Sequence, residues 1–150
     1  MIYLGADHRG FELKEKAKQW LTELGYQFKD CGAFEYNKGD DYPDFAKAVA
    51  EEVVGTAGDT ENNRGILFCG SGIGVCIAAN KIKGVRAGTA TSSKQIKAAV
   101  SDEDLNIVAI SSDYTDEKTA KNVIKTFLET KFSGEERHIR RINKIKQLEQ

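Results

Sequence analysis

Gly65-Ile66-Leu67-Phe68-Cys69-Gly70-Ser71-Gly72-Ile73-Gly74 is the stretch on which the reading of the chain turns. Its first half is an unbroken apolar run, the pattern of a parallel strand buried on both faces. Its second half places glycine at three alternating positions before a helical stretch through Ala78 and Ala79 to Lys83. A buried strand running through a glycine turn into a helix is one unit of an α/β sheet.

The same unit recurs on either side. Ile2-Tyr3-Leu4 reads as a short strand ending in Gly5-Ala6-Asp7-His8-Arg9-Gly10. Leu13, Ala17, Trp20, Leu21 and Leu24 then recur at helical spacing, and Gly25 stands where a helix C′ residue belongs. Tyr26 to Cys31 is a second strand. Asp41-Tyr42-Pro43 opens a helix whose apolar stripe is Phe45, Ala46, Val49, Ala50 and Val53. Gly55 to Asn63 reads as a polar surface loop. Val85 to Ala90 and Ile107 to Ile110 are further strands. Ser92 to about Asp102, Asp116 to Thr130 and Glu135 to Leu148 are helices. Strand and helix alternate five times, which predicts an α/β domain over residues 1–150 with a doubly wound, five-stranded parallel sheet and right-handed crossovers. Ligands of such sheets sit at the carboxyl ends of the strands, here Asp7–Gly10, Cys69–Gly74 and the helix start near Ser92.

Composition narrows the class. The 150 residues are 40% apolar and 30% charged, which fits a packed core and not a disordered chain. Lys+Arg 22 against Asp+Glu 23 gives a net charge of −1, so bulk charge suggests neither nucleic acid nor an anionic membrane. No apolar run approaches a membrane span, mean hydropathy is −0.47, and no basic segment precedes an apolar one at the start. Three cysteines without a C-x-x-C pair argue against a disulfide framework or a structural zinc and for a reducing cytosol.

The turn after Cys69 carries the strongest chemical signal. Glycines at 70, 72 and 74 leave backbone N–H groups open to a close anion, and the following helix N-terminus adds partial positive charge. It is not a dinucleotide fingerprint: Val75 stands where the third glycine is needed, and Val85-Arg86-Ala87-Gly88-Thr89 lacks the acidic residue. Gly5 to Gly10 has P-loop spacing, but Phe11 replaces the lysine. A thiol beside such a turn can serve as base or nucleophile, which singles out Cys69, whereas Cys31 and Cys76 read as small buried hydrophobes. Ser71 can donate to a substrate oxygen or simply shape the turn. Arg137, His138, Arg140 and Arg141 cluster at the start of the last helix, with Arg137 and Arg141 spaced to hold one phosphate from one side. A base, oxyanion donors and phosphate-binding cations together describe proton abstraction beside a carbonyl of a phosphorylated substrate.

Gly5-Ala6-Asp7-His8-Arg9-Gly10-Phe11-Glu12-Leu13-Lys14, Asp41-Tyr42-Pro43-Asp44-Phe45-Ala46, the Gly65–Gly74 stretch, Ala78-Ala79-Asn80-Lys81 with Gly84-Val85-Arg86-Ala87, and Arg137-His138 resemble the ribose 5-phosphate isomerase B family, which includes the galactose 6-phosphate isomerase subunits. The resemblance runs nearly end to end. It implies a Rossmann-like three-layer αβα domain, a homodimer or tetramer whose site lies at the subunit interface, a C-terminal helix packed on a partner subunit, and no metal or organic cofactor. It implies aldose–ketose isomerisation through a cis-enediolate. Cys69 would be the base, with Ser71 on the reacting oxygen and the N–H groups of Gly70, Gly72 and Gly74 as the anion hole. Asp7, Tyr42 and Asn80 would meet sugar hydroxyls, and His8, Arg137 and Arg141 the phosphate, with His138 beside them. Two positions depart from the pattern: Asp102 stands where a ring-opening histidine is usual, and Asp113 where a phosphate-binding arginine is usual. Asp102 can act as a base, and Arg9 or Lys94 can supply the missing charge. The alternatives are an isomerase of another phosphosugar, such as allose or galactose 6-phosphate, and a phosphosugar-binding protein without catalysis.

Overall fold

The computed structural model describes residues 1–55 and 62–149. Most of the polar loop expected at 55–63 lies outside the described residues. Five strands, β1 (Ile2–Ala6), β2 (Phe28–Asp30), β3 (Arg64–Cys69), β4 (Ala87–Thr89) and β5 (Ile107–Ser111), form one all-parallel sheet in the order β2-β1-β3-β5-β4. The helices are α1 (Phe11–Glu23), α2 (Tyr42–Val54), α3 (Ile73–Ala79), α4 (Ser93–Glu103), α5 (Glu117–Glu129) and α6 (Glu136–Lys146).

Crossover handedness sorts the helices into layers. The links β1-α1-β2 and β4-α4-β5 move one way across the sheet, and β2-α2-β3 and β3-α3-β4 the other. Crossovers of one hand must then put α1 and α4 on one face and α2 and α3 on the opposite face. The two buried clusters obey this. Leu4, Ile66, Phe68, Val108 and Ile110 pack with α1, α4 and α5, whereas Leu67, Cys69, Ile107 and Ala109 pack with α2 and α3. Helix α5 buries Ala120, Val123, Ile124 and Phe127 on one stripe, and each of the larger three adds about 1.5–3 kcal/mol. The last helix buries His138 and Ile142 and touches α4 of its own chain, so part of the face expected against a partner is used internally.

Element ends follow local hydrogen bonds. Ser92 Oγ accepts from Gln95 N–H and Asp116 Oδ1 from Thr119 N–H, capping α4 and α5. Gly25, at φ 79°, closes α1 as expected. Helix α3 stops at Ala79, short of the expected Lys83, because Asn80 turns to the edge of β4. Strand β4 begins at Ala87 and not Val85, since Asn106 Oδ1 takes Arg86 N–H at 2.7 Å. Gly10 lets the turn after β1 lie directly on β3: a Cβ there would meet the Phe68 carbonyl carbon and oxygen at 2.5 Å.

Candidate active site

The sheet reverses its winding direction between β1 and β3, and the carboxyl ends of these neighbours bring together the Asp7–Gly10 and Cys69–Ile73 turns. In the first turn Asp7 is buried, and its Oδ1 accepts Gly10 N–H at 2.9 Å. His8 points Nδ1 at Asp40 Oδ1, 2.7 Å away, and Tyr36 stands edge-on to its ring. In the second turn Cys69 is buried, and its Sγ accepts Gly72 N–H at 3.2 Å. Gly72 can donate there because it sits at φ 74° against Ser111, where a side chain would strike the β5 backbone. Ser71 is exposed, and its Oγ accepts Ile73 N–H at 3.2 Å, which leaves its own proton to offer outward.

Two side chains flank the glycine turn. The Tyr42 ring lies over Gly74, 2.9 Å from where a Cβ would stand. The Arg9 guanidinium lies over Gly70, where a Cβ would overlap it, and it pairs with Asp113. The carboxylate at the unusual position therefore meets a cation from the β1 turn. Lys94 sits exposed in the first turn of α4, at the same sheet edge.

The structure thus gathers Asp7, His8, Arg9, Tyr42, Cys69, Gly70, Ser71, Gly72 and Gly74. The other candidate residues are placed differently. Gly72 N–H serves the Cys69 sulfur, so the open donors of this turn are fewer than three alternating glycines suggest. Both ends of the Asn80 amide bond the Ala87 backbone, at 2.8 and 2.9 Å, so the side chain clips α3 to β4 instead of reaching into the site. Helix α4 runs back from the carboxyl edge over 11 residues, about 16 Å, and carries Asp102 to the amino edge of the sheet. Arg137, His138 and Arg141 lie on α6, which packs at that end. Asp102 and these residues therefore do not meet Cys69 of their own chain. His138 is buried, its Nδ1 2.7 Å from Ser133 Oγ and its Nε2 3.9 Å from Asp102, a contact between α6 and α4 and not an open ligand. Arg137 and Arg141 are exposed, and Arg137 also pairs with Glu135.

Among the described residues one group, Asp7, His8 and Asp40, has donors close enough to hold a metal ion, within 4.8 Å of one another. Asp40 Oδ1 lies 2.7 Å from His8 Nδ1, and Asp7 Oδ1 accepts Gly10 N–H, so one oxygen of each acid is engaged in a hydrogen bond. Sequence reading passed over Asp40 and Tyr36, since nothing local signals a bond spanning 32 positions. Cys31 and Cys76, expected to be buried, are half-buried and pack against the cluster beneath α2 and α3. Burial pushes the Cys31 thiol up to about 11, and burial followed by the nearby Cys69 raises Cys76. All three cysteines are unpaired. No helix of the described residues is long and apolar enough to cross a membrane.

Residues 2–145 match the model of a family described as Ribose/Galactose Isomerase. A probable ribose-5-phosphate isomerase B of Mycoplasma genitalium is 37% identical over 144 residues, 96% of this chain and 92% of the relative. A ribose-5-phosphate isomerase B structure from Clostridium thermocellum superposes with TM-score 0.91 at 37% identity, covering 99% of this chain and 96% of the other. A Mycoplasma genitalium ribose-5-phosphate isomerase B structure with bound ribulose-5-phosphate superposes with TM-score 0.89 at 36% identity, covering 99% and 95%.

Proposed function

The chain belongs to the ribose/galactose isomerase family, and from that membership we propose that it interconverts ribose 5-phosphate and ribulose 5-phosphate. It is an aldose–ketose isomerase. The observation that carries the reading is the placement of Cys69, its sulfur held by Gly72 N–H at the carboxyl end of β3. As thiolate, Cys69 takes the proton from C2 of the open aldose. The C2–H electron pair becomes the C1–C2 double bond, and the carbonyl oxygen at C1 takes up charge in a cis-enediolate. The same thiol returns the proton to C1, while the proton of the C2 hydroxyl passes to the C1 oxygen and leaves C2 as the ketone. No redox cofactor is needed, because oxidation at one carbon balances reduction at the other.

The outward proton of Ser71 and the N–H groups at the start of α3 face the developing oxyanion. Asp7 and Tyr42 border the sugar, while His8 and Arg9 supply cationic or N–H donors for the phosphate. A homodimer or tetramer completes the site. The arginines of α6 and Asp102 sit at the amino edge, so a site that joins them to Cys69 draws them from a second copy. Asp102, from that copy, would open the furanose ring as acid and base. The three unpaired thiols and the phosphosugar chemistry fit a cytoplasmic enzyme.

The test is ketose formation from ribose 5-phosphate by the wild type and by Cys69→Ala, with allose 6-phosphate and galactose 6-phosphate as competing substrates. Removing a general base should lower kcat by about 10²–10⁴-fold with folding retained. Wild-type turnover in the variant would remove Cys69 from the role. The Arg9–Asp113 pair favours one second reading, a different phosphosugar, which faster turnover of a hexose 6-phosphate would support. Melting-temperature shifts with phosphosugars but no turnover would instead mark a binding protein.

A further inference from the structure

We infer that Asp40 is a positioning residue of this site: it holds the His8 imidazole by Nδ1, so that Nε2 is the nitrogen presented to a phosphate oxygen. The inference rests on the reading above that His8 faces the phosphate.

One oxygen does the holding. Asp40 Oδ1 accepts the main-chain N–H of His8 at 3.0 Å and lies 2.7 Å from its Nδ1. Backbone and ring are therefore pinned to the same atom, and the ring cannot turn without breaking a short bond. The carboxylate is the buried member, with its side chain 8% exposed against 23% for His8. Tyr36 meets the ring edge-on at 6.3 Å between centroids, which closes a further side. The neighbouring carboxylate, Asp7, accepts Gly10 N–H at Oδ1. The opposite edge of the ring, with Nε2, is left as the open one.

Proton count then fixes what the pair can do. A carboxylate can only accept, so Nδ1 must carry a hydrogen. A neutral His8 would present a bare Nε2, whose lone pair opposes that of a phosphate oxygen. Binding phosphate at Nε2 therefore calls for the doubly protonated ring, with one N–H on each anion. Asp40 supplies the balancing charge. Its second oxygen, Oδ2, is buried without a hydrogen-bond partner among the described residues, so His8 is the group that offsets the carboxylate.

The test uses the full-length protein and inorganic phosphate as probe, beside ribose 5-phosphate. In Asp40→Asn the side chain keeps its shape and loses its charge. The phosphate dissociation constant and the KM for ribose 5-phosphate should each rise about tenfold, with kcat held within about twofold, as for one charge-assisted hydrogen bond made neutral. His8→Ala should weaken phosphate at least as much, and the double variant should be no worse than His8→Ala alone. In 15N spectra the neutral His8 of the wild type should carry its proton on Nδ1, whereas in Asp40→Ala it should move to Nε2. Unchanged phosphate affinity in Asp40→Asn, losses that add in the double variant, or a wild-type proton on Nε2 would each overturn the inference. If the wild type does not isomerise ribose 5-phosphate, the functional reading fails, but phosphate affinity and the tautomer still decide the role of Asp40.

Discussion

Alanine placed at Gly10 and, separately, at Gly70 should divide stability from substrate affinity. Both added methyl groups meet occupied space, but what must move differs. At Gly10, with φ −91°, the backbone suits alanine, so sterics decide. The Cβ would lie 2.5 Å from the Phe68 carbonyl carbon and oxygen, against about 3.4 Å for ordinary contact. Neither the β1 turn nor β3 can yield the missing distance without disturbing the ladder between them. Overpacking of this kind costs about 1–3 kcal/mol, and a less flexible unfolded chain returns about 0.4–1 kcal/mol. A 2.5 Å approach to backbone belongs at the upper end of that cost, a net loss of about 2–2.6 kcal/mol, which for a domain of this size lowers Tm by roughly 4–10 °C. At Gly70 the obstacle is the half-exposed Arg9 guanidinium, the far end of a flexible side chain. Displacing it breaks its exposed pair with Asp113, worth about 0–1 kcal/mol, so Tm should move by no more than about 4 °C. KM should nevertheless rise about tenfold, because Arg9 leaves the anion turn. Thermal unfolding followed by circular dichroism and steady-state kinetics read the two effects. Equal Tm losses in both variants, or an unshifted Gly10→Ala, would refute the reasoning.

Mixing Cys69→Ala with Arg141→Ala should recover activity that neither has alone. With random reassociation, half the dimers are mixed and each holds one intact site, which gives about a quarter of wild-type turnover; no recovery would place both residues in one chain. Burial pushes the Asp30 carboxyl up, but hydrogen bonds from Lys14, Lys18 and Gly32 N–H outweigh it and hold it below the usual range. Its contribution is therefore present above about pH 4 and lost as pH falls through the depressed value. Urea unfolding should show the advantage of wild type over Asp30→Asn at pH 7 shrinking by pH 3. Cys31, pushed up to about 11, should react with iodoacetamide far more slowly at pH 8 than an ordinary thiol, and peptide mapping of the alkylated protein checks this.

What was legible in the sequence was local. The apolar run ending at Cys69, the glycine turn after it and the Pro43 helix entry each carry their physics within ten residues, and the structure keeps all three. Strand alternation also fixed the class of sheet. What escaped depends on strand order or distant pairing. That Asp102 lies across the sheet from Cys69 follows once α4 is seen to run back from the edge where β4 ends. The family resemblance joined the two without regard to the direction in which α4 runs. The resemblance set Asn80 toward a sugar hydroxyl, whereas its amide partner, the Ala87 backbone, comes from a strand that begins later than its apolar pattern. Asp40 gave no local signal, since its bond to His8 joins two turns that only the folded sheet brings together.

The buried Lys14 bears on more than its own ion pair. Its ammonium holds Asp30 Oδ1 at 2.6 Å and the Ala33 carbonyl at 2.5 Å, with its side chain fully enclosed. The segment that follows, through Phe34 and Tyr36 to Asp40, is largely exposed and buries little apolar surface. It is held at its base by the Lys14 rivet and by the backbone bonds of Gly32 and Ala33 to Ala6, and at its far end by Asp40, with little hydrophobic anchorage between. A segment fastened in this way can open as a unit of its own while the sheet stays intact. Amide exchange across 34–39 should then run ahead of exchange in β1 and β3, and weakening the rivet would unseat His8 long before the protein melts.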